Sequence, residues 1–158
     1  MQKSARTTLA VCFFFFGGMT IHTAEGNSAG ERELEALRMI TATPEAQMSD
    51  LCTLILIQRG ELDKFPESRK RCEAIEALKI YRLNKDDLPL LTPVTAGAAS
   101  KAAINAHGLE KSLMFSLTGL EWYAVQNAEN LGLVKPKTAS YKKLSGEELV
   151  AIFENALI

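Results

Sequence analysis

The chain has 158 residues, 47% of them hydrophobic, and a formal net charge of -1. That is enough apolar material for one ordinary core, and the charge is too balanced to set up a global field toward nucleic acid, so no nucleic-acid partner is expected. Recognition has to rest on local shape.

Lys3 and Arg6 precede an unbroken apolar run from Leu9 to Phe16, followed by Gly17 and Gly18. This is the layout of a secretory signal peptide. The run is shorter than the roughly 20 apolar residues that cross a bilayer. No second long run follows, so no permanent membrane anchor is expected. Cleavage is placed after Ala24, although His22 is bulkier than the small residue usual two positions earlier. Cys12 follows Val11 rather than a small residue, and Phe13 to Phe16 continue the apolar core, which argues against lipidation. The expected organisation is a signal peptide over 1–24, a flexible mature start over 25–29 and a single helical domain over 30–158. The protein would be exported, to a periplasm or by secretion, with a slight preference for the periplasm.

Leu34, Leu37 and Ile40 recur among charged residues and predict a short amphipathic helix over 31–40. Thr43-Pro44-Glu45 supplies a cap, a first-turn proline and an acid for the next helix. Met48, Leu51, Cys52 and Ile55 form its stripe, widened by Leu54, Leu56 and Ile57, and Gly60 ends it. The run Thr53 to Ile57 also fits a short strand, but the cap and the glycine favour a helix. Pro66-Glu67 opens a third helical pattern through Cys72, Ile75, Leu78 and Tyr81, with Asn84 near its end.

The short connection between these two helices makes them antiparallel neighbours. Cys52 and Cys72 then stand nearly equidistant from its midpoint, at similar height, in a compartment where disulfides persist. A disulfide between them is expected, worth about 3 kcal/mol for a loop of that size.

Leu88 to Pro93, with two prolines, reads as an extended connection. The alanine-rich stretch from Ala96 to Ala106 allows close helix approach and stops at Gly108. Leu113, Leu117, Leu120, Ala124, Ala128 and Leu131 keep helical spacing and predict one long spine, with Phe115 and Trp122 adding bulk and Gly132 as its stop. Lys135 to Lys143 holds four lysines, one proline and no acid, the composition of a solvated linker. Ser145 and Glu148 form a capping box for a last helix, Leu144 and Leu149 are spaced for a hydrophobic staple, and Leu149, Ile152, Phe153 and Ala156 are its buried face. The fold expectation is all-α: a small bundle of about five or six helices with a disulfide-tied helical hairpin.

No residue set selects a reaction, and no catalytic, cofactor-binding or metal-binding residue is assigned. Beyond residue 24 the only histidine is His107, too few for a His-rich zinc site, and its place at a helix end suits an imidazolium facing the dipole. Ser140-Tyr141-Lys142-Lys143 matches Ser-x-x-Lys but falls in an expected loop without companion motifs. Glu121 beside Trp122 is the most suggestive carboxyl for acid catalysis, although adjacent residues of a helix face different ways. Asp86-Asp87 do not complete a calcium shell.

The leading expectation is therefore a non-enzymatic binding protein that recognises another protein outside the cytoplasm, the class that includes secretion or conjugation accessories, toxin-immunity proteins, chaperones and virulence factors. Its candidate partner-binding residues are Phe115, Trp122, Lys135, Lys137, Tyr141, Lys142 and Lys143. Two alternatives are a carrier of an apolar small molecule in a pocket lined by Met114, Phe115 and Leu120, and a small envelope-glycan hydrolase using Glu121.

Overall fold

The computed structural model describes residues 22–83 and 90–158. The signal-peptide run, Asn84, Asp86-Asp87, Leu88 and Pro89 lie outside the described residues. The chain divides into two units, 1–32 and 33–158. In the first, the described residues belong to α1 (His22–Ala42), whose last turns belong to the second. The expected cleavage after Ala24 would fall in the first turn of this helix, and the processed chain would start its α1 no earlier than Glu25.

The second unit continues with α2 (Met48–Gln58), a 3-10 turn (Leu62–Lys64), α3 (Ser68–Ala77), α4 (Ala96–Ala106), α5 (Leu113–Thr118), α6 (Glu121–Asn130) and α7 (Gly146–Asn155). Among the described residues there are seven α-helices and no strand, so the all-α expectation holds with more helices than expected. None of these helices is long and apolar enough to cross a membrane.

α2 is the centre of the core. Leu51 through Leu56 are all buried, which settles the Thr53–Ile57 run as helix. It packs on α3 as the predicted hairpin, with Cys52 and Cys72 at disulfide distance and their Cα atoms 5.2 Å apart. α4 packs on α6, where alanines line both sides: Ala99, Ala102 and Ala103 face a surface containing Ala124 and Ala128, all without exposed area. α7 touches both α2 and α4 and closes the two pairs into one core through Leu149 and Phe153. Each fully buried Leu, Ile or Phe contributes about 1.5–3 kcal/mol.

The helix starts are gathered by three extended segments. Val94 N–H donates to Ala46 O at 2.8 Å, Ala46 N–H to Leu144 O at 2.8 Å, and Leu144 N–H to Val94 O at 3.0 Å. Ala46, Val94 and Leu144 are buried, so this backbone must be paired. The pairing holds Ala46 and Gln47 extended and moves the start of α2. Gln47, not Thr43, is its N-cap, in a capping box with Asp50. The Thr43 hydroxyl donates back to Met39 O and closes α1. The stretch from Lys135 to Lys143 has no buried residue, as its composition predicts, but its end is tied to the start of α4: Gly97 N–H donates to Ser140 O and Ala96 N–H to Lys142 O, both at 2.8 Å. The Ser145–Glu148 capping box of α7 forms as predicted.

Two further elements differ from expectation. α3 ends at Ala77, well before Asn84, because Lys79 turns left-handed at φ 57° and Ile80 N–H donates to Ile75 O at 3.2 Å. This drops Ile80 and Leu83 into the core and frees Tyr81 from the helix. The predicted long spine is broken at Gly119, whose φ of 63° only glycine adopts without strain, so that α5 and α6 are separate helices.

Candidate functional site

The break at Gly119 changes which residues of the stripe are buried. Ala124 and Ala128 face the core, but Leu113 is 74% exposed, Leu117 72% and Trp122 53%, with Met114 and Leu120 also largely exposed. Phe115 is 3% exposed and is the anchor of α5, so the expectation that it contacts a partner is corrected: a side chain inside the core has no surface to offer. Trp122 keeps the exposure a contact residue needs and stacks edge-on to Tyr123, ring centroids 4.7 Å apart. These five exposed apolar side chains fall within the ten residues 113–122, and clustered apolar exposure is what marks interaction sites on monomers.

Specific bonds hold the ridge in place. The Ser112 hydroxyl caps α5 by accepting from Phe115 N–H at 3.3 Å. Buried Asn127 on α6 accepts from Ser112 N–H at 2.8 Å and donates to Glu110 O at 2.8 Å. Lys101 of α4 donates its ammonium to Gly119 O at 2.8 Å, and the Lys111 ammonium lies 5.9 Å from the Phe115 ring centre. Sequence reasoning missed Asn127, because an amide on an otherwise apolar stripe looks like a solvent-facing position until its two backbone partners are seen.

A pocket of about 450 Å³ lies between α7 and the segment 132–144, and Met114, Phe115 and Leu120 are not among the residues that line it. Leu133, Leu144 and Ile152 form its floor, while Lys135, Lys142, Glu147 and Glu148 stand at its rim. Lys142 pairs with Glu148 at 2.5 Å. The Lys142 hydrogen bond, the Ser145 N–H and the field of Lys142 and Lys135 hold the Glu148 carboxyl below the usual carboxylate range, against an opposing contribution from burial.

The remaining candidates are dispersed. Lys143 pairs with Glu45 at 2.7 Å. Tyr141 is 82% exposed, and Lys137, also exposed, sits in a turn at φ 64°. Ser140 and Lys143 share no helical turn, the geometry that would let the lysine activate the serine.

Glu121 opens α6 and accepts from the Tyr81 hydroxyl at 2.6 Å and from the Thr95 hydroxyl at 3.3 Å. Burial, reinforced by the bond to Glu121, pushes the Tyr81 phenol well above its usual range. Gly97 lies so close that an added Cβ would stand 2.7 Å from Glu121 Cβ. Both carboxylate oxygens are engaged in joining α4, α6 and the segment after α3.

His107 is the C-cap of α4, the position expected, but its Nε2 lies 2.9 Å from Gln58 Oε1 and burial lowers its proton affinity. The ring bridges α4 to α2 through this contact, and burial disfavours the imidazolium at this helix end. Among the described residues no group of three or more His, Cys, Asp or Glu is placed to hold a metal ion.

The described residues form a small disulfide-tied helical protein that carries an anchored apolar ridge and a pocket of mixed polarity. No family model, curated protein or solved structure matches the chain.

Proposed function

We propose that this protein is an exported, non-enzymatic binding protein that recognises another protein through α5 and the first turn of α6. The observation that carries the reading is the ridge: Leu113, Leu117, Leu120 and Trp122 are exposed although the backbone beneath them is fixed by Asn127, Ser112 and Lys101. A fixed apolar surface loses little conformational freedom on docking, so more of its burial appears as affinity. An amphipathic partner with an apolar groove would cover it, with Trp122 as the central anchor. The expected signal peptide and the cysteine pair fit work in an oxidising compartment outside the cytoplasm.

The test compares two baits in extracts of the native organism: the disulfide-bonded protein and its Leu113→Glu/Leu117→Glu variant. Both substitutions are on the surface and should change stability by about 0.5 kcal/mol or less each. A protein held in near-stoichiometric amount by the first bait and lost from the second supports the reading. Equal capture by both, or no stoichiometric partner at several salt concentrations, refutes it.

A further inference from the structure

Among the described residues there are three methionines, and the fold gives each a different access to solvent. Met48 opens α2 in the core and is 6% exposed, Met39 on α1 is 67% exposed, and Met114 on α5 is 44% exposed. A dissolved oxidant reaches a thioether only where the side chain meets water, so Met39 and Met114 are open to it and Met48 is shielded. Of the two open ones, Met114 alone belongs to the ridge. It follows Leu113 and lies one helical turn before Leu117, and the Thr118 hydroxyl donates to its carbonyl oxygen at 2.8 Å.

Leucine at this position would supply a similar apolar volume with no reactive atom. The thioether makes one point of the ridge convertible, because its sulfoxide is polar, whereas Leu113, Leu117 and Leu120 cannot be changed in this way. The anchoring of α5 runs through buried Phe115 and through bonds of Asn127 and Lys101 that do not involve the Met114 side chain. A change at Met114 therefore alters the surface and leaves the fold in place.

We propose that Met114 is an oxidation site through which hydrogen peroxide turns the ridge from apolar to polar and releases its partner. The sulfur attacks one peroxide oxygen, the O–O bond breaks as the S–O bond forms, and the other oxygen leaves as water. The thioether loses two electrons and the peroxide gains them. The new oxygen is hydrated on the free protein and would have to shed that water to enter an apolar groove without a donor. Methionine sulfoxide reductases return the thioether, removing the oxygen as water while two thiols are oxidised to a disulfide. The inference rests on the ridge being the contact surface, and adds how that contact is regulated.

Graded hydrogen peroxide treatment of the native protein, of Met39→Leu and of Met39→Leu/Met114→Leu tests this. Peptide mass mapping of the native protein should show one added oxygen at Met39 and Met114 well before Met48. Oxidation should shorten the retention of Met39→Leu on a hydrophobic-interaction column without lowering its melting temperature, and adding Met114→Leu should remove most of that shift. As bait, oxidised Met39→Leu should hold about a tenth or less of the partner held before oxidation, while the double variant should keep it. The proposal is overturned if Met114 resists peroxide as Met48 does, if retention shifts equally with and without Met114, if melting falls as Met114 is oxidised, or if the oxidised bait captures its partner undiminished. That last outcome would leave the ridge reading intact. Absence of any partner before oxidation would instead refute the ridge as a contact surface, and with it the release proposed here.

Discussion

Gly146 is the first residue of α7 and lies directly under the end of α1, with its N–H donated to Thr43 O at 2.9 Å. A Cβ added at this position would overlap the carbonyl oxygen and carbon of Ile40, and would lie 3.3 Å from Thr43 O. Those are backbone atoms beside a buried side chain and cannot swing aside. Gly146→Ala must therefore move the last turn of α1 or the first turn of α7 by on the order of an ångström in a close-packed interior. Overpacking of this kind costs about 1–3 kcal/mol. The strained Gly146–Thr43 bond adds about 1 kcal/mol, and the better helix propensity of alanine returns less than about 1 kcal/mol. The net expectation is a loss of about 3 kcal/mol, or a fall in Tm of roughly 10 °C for a domain of this size. Thermal melting followed by far-ultraviolet circular dichroism measures it. Gly30→Ala is the control: its added Cβ meets nothing within 4 Å, so it should melt at or slightly above the native temperature. If Gly146→Ala melts as high as the native protein, the contact between α1 and α7 is not as close as argued.

Cys52 and Cys72 are buried, 20 residues apart in sequence and at disulfide distance. Replacing both by alanine should lower stability by about 3 kcal/mol. A thiol reductant should lower the native melting temperature and leave the variant's unchanged, and equal melting of the native protein with and without reductant would show the pair unbonded. The raised phenol of Tyr81 gives a second dependence, on pH. The folded state holds that proton more tightly than the unfolded chain, so its stabilisation is complete below the unfolded value of about 10 and declines as pH rises above it. Melting temperatures between neutral pH and pH about 11 should fall more steeply above pH 10 in the native protein than in Tyr81→Phe. Parallel curves would remove Tyr81 from the alkaline response.

The parts of this fold that were legible in the sequence are those decided within one turn of helix or across one short loop. The Ser145–Glu148 box needs only spacing, and it forms. Gly60, Gly108 and Gly132 stand just past the ends of α2, α4 and α6 as read. The cysteine pair follows from two helices and the length of their connection. What was not legible depends on pairing between distant segments. Nothing around Thr43-Pro44-Glu45 announces that Ala46 will pair with Leu144 and Val94 and postpone the helix. Lys79 has no sequence feature marking it for a left-handed turn, yet the burial of Ile80 and Leu83 requires one.

The misread stripe is the most informative case, because it bears on function. Leu113, Leu117, Leu120, Ala124, Ala128 and Leu131 satisfy helical periodicity across Gly119, so a continuous helix burying all of them was the economical reading. The chain interrupts that helix, turns Leu113, Leu117 and Leu120 outward, and uses Phe115 to hold the detached piece. Holding it also requires a buried amide at Asn127, which two backbone groups must satisfy, and a lysine committed to Gly119 O. Each leucine left exposed forgoes about 1.5–3 kcal/mol of burial, while the bonds of Asn127 and Lys101 keep the short helix in place. Core burial forgone and exposed residues held in position together support the proposed binding surface. Periodicity alone does not separate leucines that will be buried from leucines that will stay exposed, so Trp122 was legible as a contact candidate while Leu113 and Leu117 were read as part of one continuous spine.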